Sequence, residues 1–213
     1  MIVCAKRVVF FTGAGISTAC GIPDYRSGFN TVLPTGPGCW ETAANQKKFK
    51  DMVAKRKGEL PLWQRTNFNN TIACARPSKT HMAMLELINK GHVSQIVSQN
   101  VDGLHRKSGV HGDYLCELHG NTNLELCTKC DREHMRDFRV RSAKGNKEHL
   151  TGRICDTPGC GGELKDTIIN FGENLEQRIL KKAFAEHEKA DLVIACGSSL
   201  RVSPASEMPV AAV

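Results

Sequence analysis

The chain has 213 residues, of which 40% are hydrophobic and 24% are charged, a composition typical of an ordinary globular protein. This length is enough for one domain, or for one domain with an insertion, and for a sizeable core. The formal net charge of +7 favours anionic partners such as nucleotide phosphates, nucleic acid or acidic protein surfaces. No stretch approaches the roughly 18 consecutive apolar residues of a membrane-spanning helix, so the sequence predicts no membrane span.

The ten cysteines allow two interpretations, a secreted disulfide scaffold or an intracellular protein with metal-binding thiols. Lys6 and Arg7 lead directly into the four-residue apolar run 8–11, and this is not a signal-peptide pattern. We therefore expect a reducing, intracellular environment, in which paired cysteines more often bind metal than form disulfides.

The first predicted element is a buried strand at residues 8–11, which enters a glycine-containing turn. Gly13 and Gly15 carry no Cβ, so the backbone can approach a ligand closely and its amides can point at an anion. The turn departs from the dinucleotide fingerprint G-x-G-x-x-G, because Thr18 occupies the third glycine position. The acidic residue expected about 20 residues further on is also missing. On its own, the turn is compatible with either a structural turn or a nucleotide site.

Residues 28–76 are polar and rich in Gly, Pro, Asn and Lys, and we interpret them as an inserted lid or helical module. A helix is predicted over 43–57, with a basic face. A solvated face is the simpler interpretation of these lysines, and the alternative is a nuclear-localisation or phosphate-binding patch.

Regular structure is predicted again from Pro77 onward. Ser78 or Thr80 can cap a helix that Gly91 ends. Further strands are predicted at 93–97, 114–118, 167–171 and 192–195, and a helix at 175–189 with Asn174 and Gln177 as its capping pair. The runs ending near residues 11, 97, 118 and 195 release small, polar or ionisable residues, as strands do where open α/β sheets bind ligands. This pattern favours one cleft built from several loops over scattered surface loops.

Two cysteine pairs mark the segment 123–164 as a module of its own. Its four paired cysteines are Cys127, Cys130, Cys155 and Cys160. Four thiolates in two tight knuckles can hold a structural zinc ion and leave no open position for water. A redox C-x-x-C pair or core cysteines are the alternatives. The intervening residues 132–149 are charged, and an excursion from the module is predicted there.

Taken together, these segments resemble the sirtuins, a family of NAD-dependent protein lysine deacylases. The shared motifs occur in the family's order: residues 13–17, 21–26, 99–102 and 119–120, the two cysteine pairs, and residues 171–173 and 197–200. Residues 162–168 and the Gly-Ser-Ser-Leu motif are most similar to the class IV branch, which includes the nuclear sirtuins of animals.

The predicted fold class is α/β, with a Rossmann-like parallel sheet covered by helices on both faces. This NAD-binding domain would comprise residues 1–27, 77–122 and 165–213. A helical or lid insertion would occupy 28–76, and a small Cys4 zinc-ribbon domain would occupy 123–164.

The resemblance implies that NAD is a co-substrate. In the family, the acyl oxygen of a modified lysine attacks C1′ of the nicotinamide ribose, and a general base then deprotonates a ribose hydroxyl. The resemblance assigns His119 as that base, Asn100 to orient the ribose and bound water, and Asp102 to hold the carboxamide. It also implies that Glu173 and the strand before it border the acyl-lysine peptide. It assigns the dinucleotide site to Gly13, Ala14, Gly15, Ser17, Thr18, Asp24, Tyr25, Arg26, Gln99, Asn100, Asp102, Gly197, Ser198 and Ser199.

The sequence departs from the family pattern in two places. Residues 27–35 intervene before the Gly-Pro-rich turn that ends in Trp40, so we expect a longer cofactor loop than in the family. We expect Trp40 to lie on the nicotinamide side of this loop. The family's last strands, with part of the adenine pocket, would lie beyond Val213, and the sequence therefore predicts a C-terminal truncation.

Three other functions remain compatible with this sequence to different degrees. Mono-ADP-ribosyl transfer uses the same NAD chemistry, and a catalytically weak NAD- or acyl-lysine-binding module would use the same cleft. A dehydrogenase is disfavoured by the broken dinucleotide fingerprint.

The expected partners are acyl-lysine proteins, with histones as candidates. Chromatin association would occur through the basic surface, without membrane binding or sequence-specific nucleic-acid binding. The family resemblance favours the nucleus as the compartment, with the cytoplasm as the alternative.

Overall fold

The computed structural model describes residues 2, 4–55, 72, 74–141 and 149–210. None of the helices in these ranges has the length and apolar character needed to cross a bilayer. The α-helices are α1 (Cys39–Ala44), α2 (Gln46–Lys55), α3 (Lys79–Asn89), α4 (Leu104–Lys107) and α5 (Gln177–Glu188). The strands are β1 (Val8–Thr12), β2 (Gln95–Ser98), β3 (Leu115–Glu117), β4 (Leu124–Cys127), β5 (Glu133–Met135), β6 (Leu150–Ile154), β7 (Glu163–Asp166) and β8 (Leu192–Cys196).

One sheet is parallel throughout and has the strand order β3-β2-β1-β8 within the described residues. Strand β1 lies inside this sheet, and Phe10 is in register with Ile96 of β2 and Ile194 of β8. All five residues of β1 are buried. A central parallel strand is covered on both faces, so its sequence is a continuous apolar run rather than an alternating one. This explains why the run 8–11 predicts a buried strand.

Helices cover both faces of the parallel sheet, as the sequence predicts. Val9 and Phe11 pack in one core against helix α5, whereas Val8 and Phe10 pack in a second core against helix α3. Successive side chains of a strand point to opposite faces, so one four-residue run supplies both cores. The predicted α/β fold class is confirmed.

The second sheet is antiparallel and has the strand order β5-β4-β7-β6 in the described part of the chain. Glu125 of β4 has a fully buried side chain, and its carboxylate lies 2.8 Å from Arg136 Nε and 2.6 Å from Arg153 Nε. A buried charge is costly unless it is paired and hydrogen-bonded. The two arginines therefore compensate the Glu125 charge and connect β4 to segments on either side.

Several predicted elements are found with small shifts. The strands expected at 8–11, 93–97, 114–118 and 192–195 correspond to β1, β2, β3 and β8. Helix α3 has the predicted start, because the Ser78 hydroxyl accepts a hydrogen bond from the backbone N–H of His81. The His81 ring in turn accepts one from the Ser78 backbone, which completes a capping box.

The strand predicted at 167–171 is wrong. Strand β7 ends at Asp166, and residues 167–170 form a loop. The N–H of Ile168 donates to the Asp166 carboxylate and that of Ile169 donates to the His119 carbonyl, so neither joins a sheet ladder. A short apolar run cannot by itself distinguish a strand from a buried loop.

Two helix predictions also need correction. The residue at the N-cap of helix α5 is Glu176, without a side-chain cap, so the predicted Asn174 and Gln177 capping pair is wrong. The single helix predicted over 43–57 is replaced by α1 and α2, which are separated at Asn45. The predicted residues 56 and 57, much of the insertion, and part of the 132–149 excursion lie outside the described residues.

Candidate active site

A cavity of about 570 Å³ opens at the carboxyl ends of β1, β2 and β8. This is the position that open parallel sheets use for ligands. Most of the sequence-predicted site residues share this one cavity. They are Gly13, Ala14, Asp24, Tyr25, Arg26, Gln99, Asn100, His119, Gly197, Ser198 and Ser199.

Four of the predicted site residues do not line the cavity: Gly15, Ser17, Thr18 and Asp102. Both carboxylate oxygens of Asp102 are used within the chain, one by the Ser17 hydroxyl at 2.7 Å and the other by the Leu104 N–H at 2.9 Å. Thr18 donates from its hydroxyl to the Gly15 carbonyl. These side chains therefore support the loops that line the cavity.

Asn100 connects the cavity wall to these supporting residues. Its side-chain amide nitrogen donates to the Gly13 carbonyl at 3.1 Å and to the Ser17 hydroxyl at 3.3 Å. Because Ser17 is itself held by Asp102, a hydrogen-bonded chain runs from Asp102 through Ser17 to Asn100. This chain fixes the orientation of the Asn100 amide at the wall.

The glycines of the first turn have a different local role from the one expected. The N–H groups of Gly13 and Gly15 donate to the carbonyls of Cys196 and Gly197, at 3.0 and 2.8 Å. A Cβ on Gly13 would lie 2.7 Å from the Gly197 oxygen, and a Cβ on Gly15 would lie 2.7 Å from the Gly197 Cα. The two glycines thus allow close packing of the first turn against the loop after β8, and their amides do not point at an anion.

His119 has the geometry of a general base. Its Nδ1 lies 2.9 Å from the Gln99 carbonyl oxygen, which can only accept, so Nδ1 carries the proton and Nε2 of the neutral ring is an acceptor. Burial lowers the pKa of His119 below its usual value, and the hydrogen bond to Gln99 opposes this shift only partly. A neutral imidazole with a defined tautomer, set in the cavity wall, can remove a proton from a hydroxyl group.

Gly120, the residue after His119, packs directly against the loop at 167–170. It has φ +80°, and a Cβ at this position would lie 1.8 Å from the Thr167 carbonyl oxygen. The conformation and the close approach both exclude a side chain.

We expect Gly120→Ala to lower the free energy of unfolding by more than Gly91→Ala, measured by urea denaturation. Gly91 has φ +72° and nothing within 4 Å of its added Cβ, so its alanine variant reports the cost of the backbone conformation alone. That cost is on the order of 1 kcal/mol, and overpacking at Gly120 adds a further 1 to 3 kcal/mol or so. Equal losses in the two variants would contradict the close approach at Thr167.

An aromatic cluster borders the cavity at its exposed side. The Trp40 ring lies 4.8 Å from the Tyr25 ring and 5.5 Å from the Phe171 ring, and the Arg26 guanidinium lies 4.8 Å from the Trp40 centroid. The backbone N–H of Trp40 donates to the Tyr25 carbonyl, so the chain between these two residues leaves the cavity edge and returns to it. Trp40 therefore lines the cavity despite the longer loop.

Sequence reasoning missed part of the wall. Residues 202–204, together with Val101 and Arg141, also line the cavity, and the sequence analysis assigned them no role there. Glu173, expected beside the acyl-lysine peptide, lines it as well. Residues 168–171 of the predicted strand, which the family resemblance places beside the acyl-lysine peptide, also line the cavity, but they are not a strand.

The four paired cysteines come together in the second sheet. Their sulfurs lie within 4.8 Å of one another, with 3.6 Å between Cys127 and Cys160 and 3.8 Å between Cys130 and Cys155. All ten cysteines of the chain are free thiols. A tetrahedral zinc ion with Zn–S bonds of about 2.3 Å holds its sulfurs about 3.8 Å apart. The arrangement therefore fits zinc and does not fit a disulfide.

The surroundings of this cysteine cluster also suit a bound metal. The backbone N–H groups of Lys129 and Cys130 point at the Cys127 sulfur, and His134 Nε2 lies 3.4 Å from the Cys155 sulfur. A Cβ on Gly162 would lie 2.6 Å from the Cys127 sulfur, so only glycine fits there. None of the four cysteines lines the cavity, which separates the metal site from the candidate chemistry.

The chain is similar to known proteins over most of its length. Residues 13–204 match the model of the Sir2 family. The chain is 41% identical over 207 residues to the NAD-dependent protein deacetylase SRT1 of Arabidopsis thaliana, covering 97% of this chain and 38% of that protein. It is 36% identical to the NAD-dependent protein deacetylase 1 of Bradyrhizobium diazoefficiens, covering 100% of this chain and 78% of that protein.

Among solved structures, one described as Sir2 with a p53 peptide and NAD+ is similar to this chain. Its TM-score is 0.60 at 28% identity, and the match covers 99% of this chain and 78% of that one. The chain thus spans well under half the length of the Arabidopsis relative and most of the length of the bacterial one.

Proposed function

Because the chain belongs to the Sir2 family, we propose that it is an NAD-dependent protein lysine deacylase. It transfers the acyl group of a modified lysine to ADP-ribose and releases nicotinamide. The observation that carries this proposal is His119, a neutral imidazole of fixed tautomer that shares one cavity with the loops at 13–26 and 197–199. NAD supplies the electrophilic ribose carbon, so the chain needs no side-chain nucleophile.

Each wall residue has a part in this proposal. His119 removes a proton from a ribose hydroxyl through Nε2, and Asn100 orients the ribose. Arg26 serves as the phosphate partner, because a guanidinium offers a charge and a fork of donors. The other dinucleotide contacts are assigned to Gly13, Ala14, Asp24, Tyr25, Gln99, Gly197, Ser198 and Ser199.

We assign Asp102 a positioning role, in place of the direct contact with the nicotinamide carboxamide that the family resemblance implies. It acts on Asn100 through Ser17, as their hydrogen bonds suggest. Gly15 and Thr18 likewise support the loop.

We also propose three structural parts for the described chain. The parallel sheet and its helices bind NAD, the insertion after residue 27 closes over the cofactor, and the antiparallel sheet carries a structural zinc ion. Cys127, Cys130, Cys155 and Cys160 hold this ion, and it takes no part in the reaction.

Our assignments of substrate, compartment and nucleic-acid attraction rest on the resemblance to the class IV branch and on the positive charge of the chain. We propose acetylated histones as substrates and the nucleus as the compartment. The net charge of +7 and the lysines of helix α2 supply an attraction to nucleic acid that is salt-sensitive and independent of sequence.

Nicotinamide release tests the proposed function. We expect the chain to release nicotinamide from NAD in the presence of an acetyl-lysine peptide and to release far less with the same peptide unmodified. No difference between the two peptides would contradict a deacylase. Transfer of ADP-ribose from labelled NAD onto protein would instead identify a mono-ADP-ribosyltransferase.

A further inference from the structure

His149 lies between two carboxylates that come from different parts of the fold. Its Nδ1 is 2.9 Å from the Asp166 carboxylate at the end of β7. Its Nε2 is 3.3 Å from the Glu173 carboxylate. All three side chains are largely or fully buried, with relative exposures of 21% for His149, 0% for Asp166 and 18% for Glu173. One imidazole thus links the second sheet to residues on the cavity wall.

The two carboxylates hold the two ends of a single loop, residues 167–173. The same Asp166 oxygen that faces His149 accepts a hydrogen bond from the Ile168 N–H at 3.1 Å. The Glu173 carboxylate accepts from the backbone N–H of Asn170 at 2.7 Å and from its side-chain amide at 3.0 Å. Both ends of the loop are therefore connected to the same ring.

This loop forms the cavity wall next to the proposed base. The Ile169 N–H donates to the His119 carbonyl at 3.1 Å, and the Phe171 ring lies 5.5 Å from Trp40. Residues 168–172 all line the cavity. The loop thus lies between the aromatic cluster and the backbone of the proposed base, at the part of the cavity that we assign to the peptide.

We propose that His149 is a positioning residue that clamps the loop 167–173 for binding of the acyl-lysine peptide, and that this clamp loosens as the pH rises. The proposal rests on the proposed deacylase function, because it assigns the loop to the peptide substrate. A protonated imidazole donates to both carboxylates at once. A neutral imidazole has one N–H, so a lone pair would face one of the two carboxylates.

The two carboxylates that face His149 favour its protonated form. Burial lowers the pKa of His149, but hydrogen bonds and attraction from Asp166 and Glu173 outweigh this effect and raise its pKa above the usual value. Two cations approach from the segment before residue 142. Arg139 is attracted to Asp166, and Arg141 donates to the side-chain oxygen of Asn170. Lys165 lies beside Asp166 on β7.

The direction of the pH effect follows from the raised pKa. The clamp is fully formed below the usual histidine pKa of about 6.5, and it is lost as the pH rises through the raised value. Peptide affinity is therefore expected to fall toward alkaline pH, whereas NAD affinity is expected to stay nearly constant.

His149→Gln tests the clamp, with His111→Gln as the matched control. His111 also faces a carboxylate, at 3.3 Å from Asp113, but its side chain is 77% exposed and it lies outside the active-site cavity. We expect His149→Gln to raise KM for an acetyl-lysine peptide about tenfold with little change in kcat. We also expect the alkaline rise in KM, seen in the parent chain and in His111→Gln, to disappear.

Hydrogen exchange gives a second measurement that needs no activity. Protection of the Ile168, Ile169 and Asn170 amides, corrected for intrinsic exchange, is expected to fall with rising pH in the parent chain while amides of helix α3 stay protected. In His149→Gln, low protection of the loop is expected at every pH. Protection that is independent of pH in the parent chain would overturn the clamp, even if His149→Gln failed to fold. A chain that consumes no NAD would overturn the deacylase function, while the exchange data would still decide whether His149 holds the loop.

Discussion

Replacing His119 with alanine is expected to lower the rate of deacetylation by about 10² to 10⁴-fold, the range typical of a lost general base. The physical reason is the fixed tautomer: the Gln99 carbonyl holds the Nδ1 proton, so Nε2 is available to accept one. The lowered pKa of His119 keeps the ring neutral in mildly acidic solution. The acid limb of the kcat/KM profile is therefore expected to lie below the usual histidine pKa of about 6.5.

Formation of deacetylated peptide, followed by mass spectrometry, measures this effect. His111→Ala is the matched control, because His111 is an exposed histidine outside the active-site cavity, and it is expected to behave like the parent chain. NAD binding by His119→Ala, measured by calorimetry, is expected to be close to that of the parent. A variant that deacetylates at the parent rate would remove His119 from the role of base.

Removal of zinc is expected to unfold the antiparallel sheet. The cysteine sulfurs connect the β4–β5 turn with the segment between β6 and β7, and this sheet is built around a buried charge network in place of a large apolar core. In zinc-finger peptides at pH 7, binding of structural zinc supplies about 10 to 16 kcal/mol of apparent free energy, and this binding free energy is folding free energy. A strong chelator or Cys127→Ser should therefore remove the protection of amides in β4 and β7.

The parallel sheet gives the internal reference for this experiment. Amides of β1 and β2 are expected to stay protected when the antiparallel sheet opens. Both strands pack in the two cores of the parallel sheet, which do not include the cysteine cluster. Cys4→Ser is the matched control, since Cys4 is an exposed thiol outside the cysteine cluster. One zinc ion per chain is expected in the parent and in Cys4→Ser, and almost none in Cys127→Ser. Unchanged protection of β4 after loss of the metal would contradict a structural role.

The parts of the fold that local patterns determine could be predicted from the sequence. The run at 8–11 indicates a central strand because burial on both faces requires continuous apolar residues. Ser78 indicates a helix start because its hydroxyl satisfies an otherwise unpaired amide. The cysteine pairs indicate a metal site because two closely spaced pairs of thiols can supply the four ligands of a tetrahedral zinc ion.

Features that depend on contacts between distant residues were not predictable in this way. The loop at 167–170 looks like a strand in the sequence, but its amides pair with Asp166 and His119. Gly15 and Gly197 pack against each other although 181 residues separate them in the chain. The contacts of His149 likewise join three segments, and no local pattern indicates them.

The destination of the acyl group is the most direct test of whether the chain is an NAD-dependent deacylase. The chain would be incubated with NAD and a peptide carrying an isotope-labelled acetyl-lysine, and the products would be separated and weighed by mass spectrometry. We predict that the label appears on ADP-ribose, with one nicotinamide released for each lysine that loses its acetyl group. Label that stays on the peptide while ADP-ribose becomes attached to protein would contradict acyl transfer to ADP-ribose.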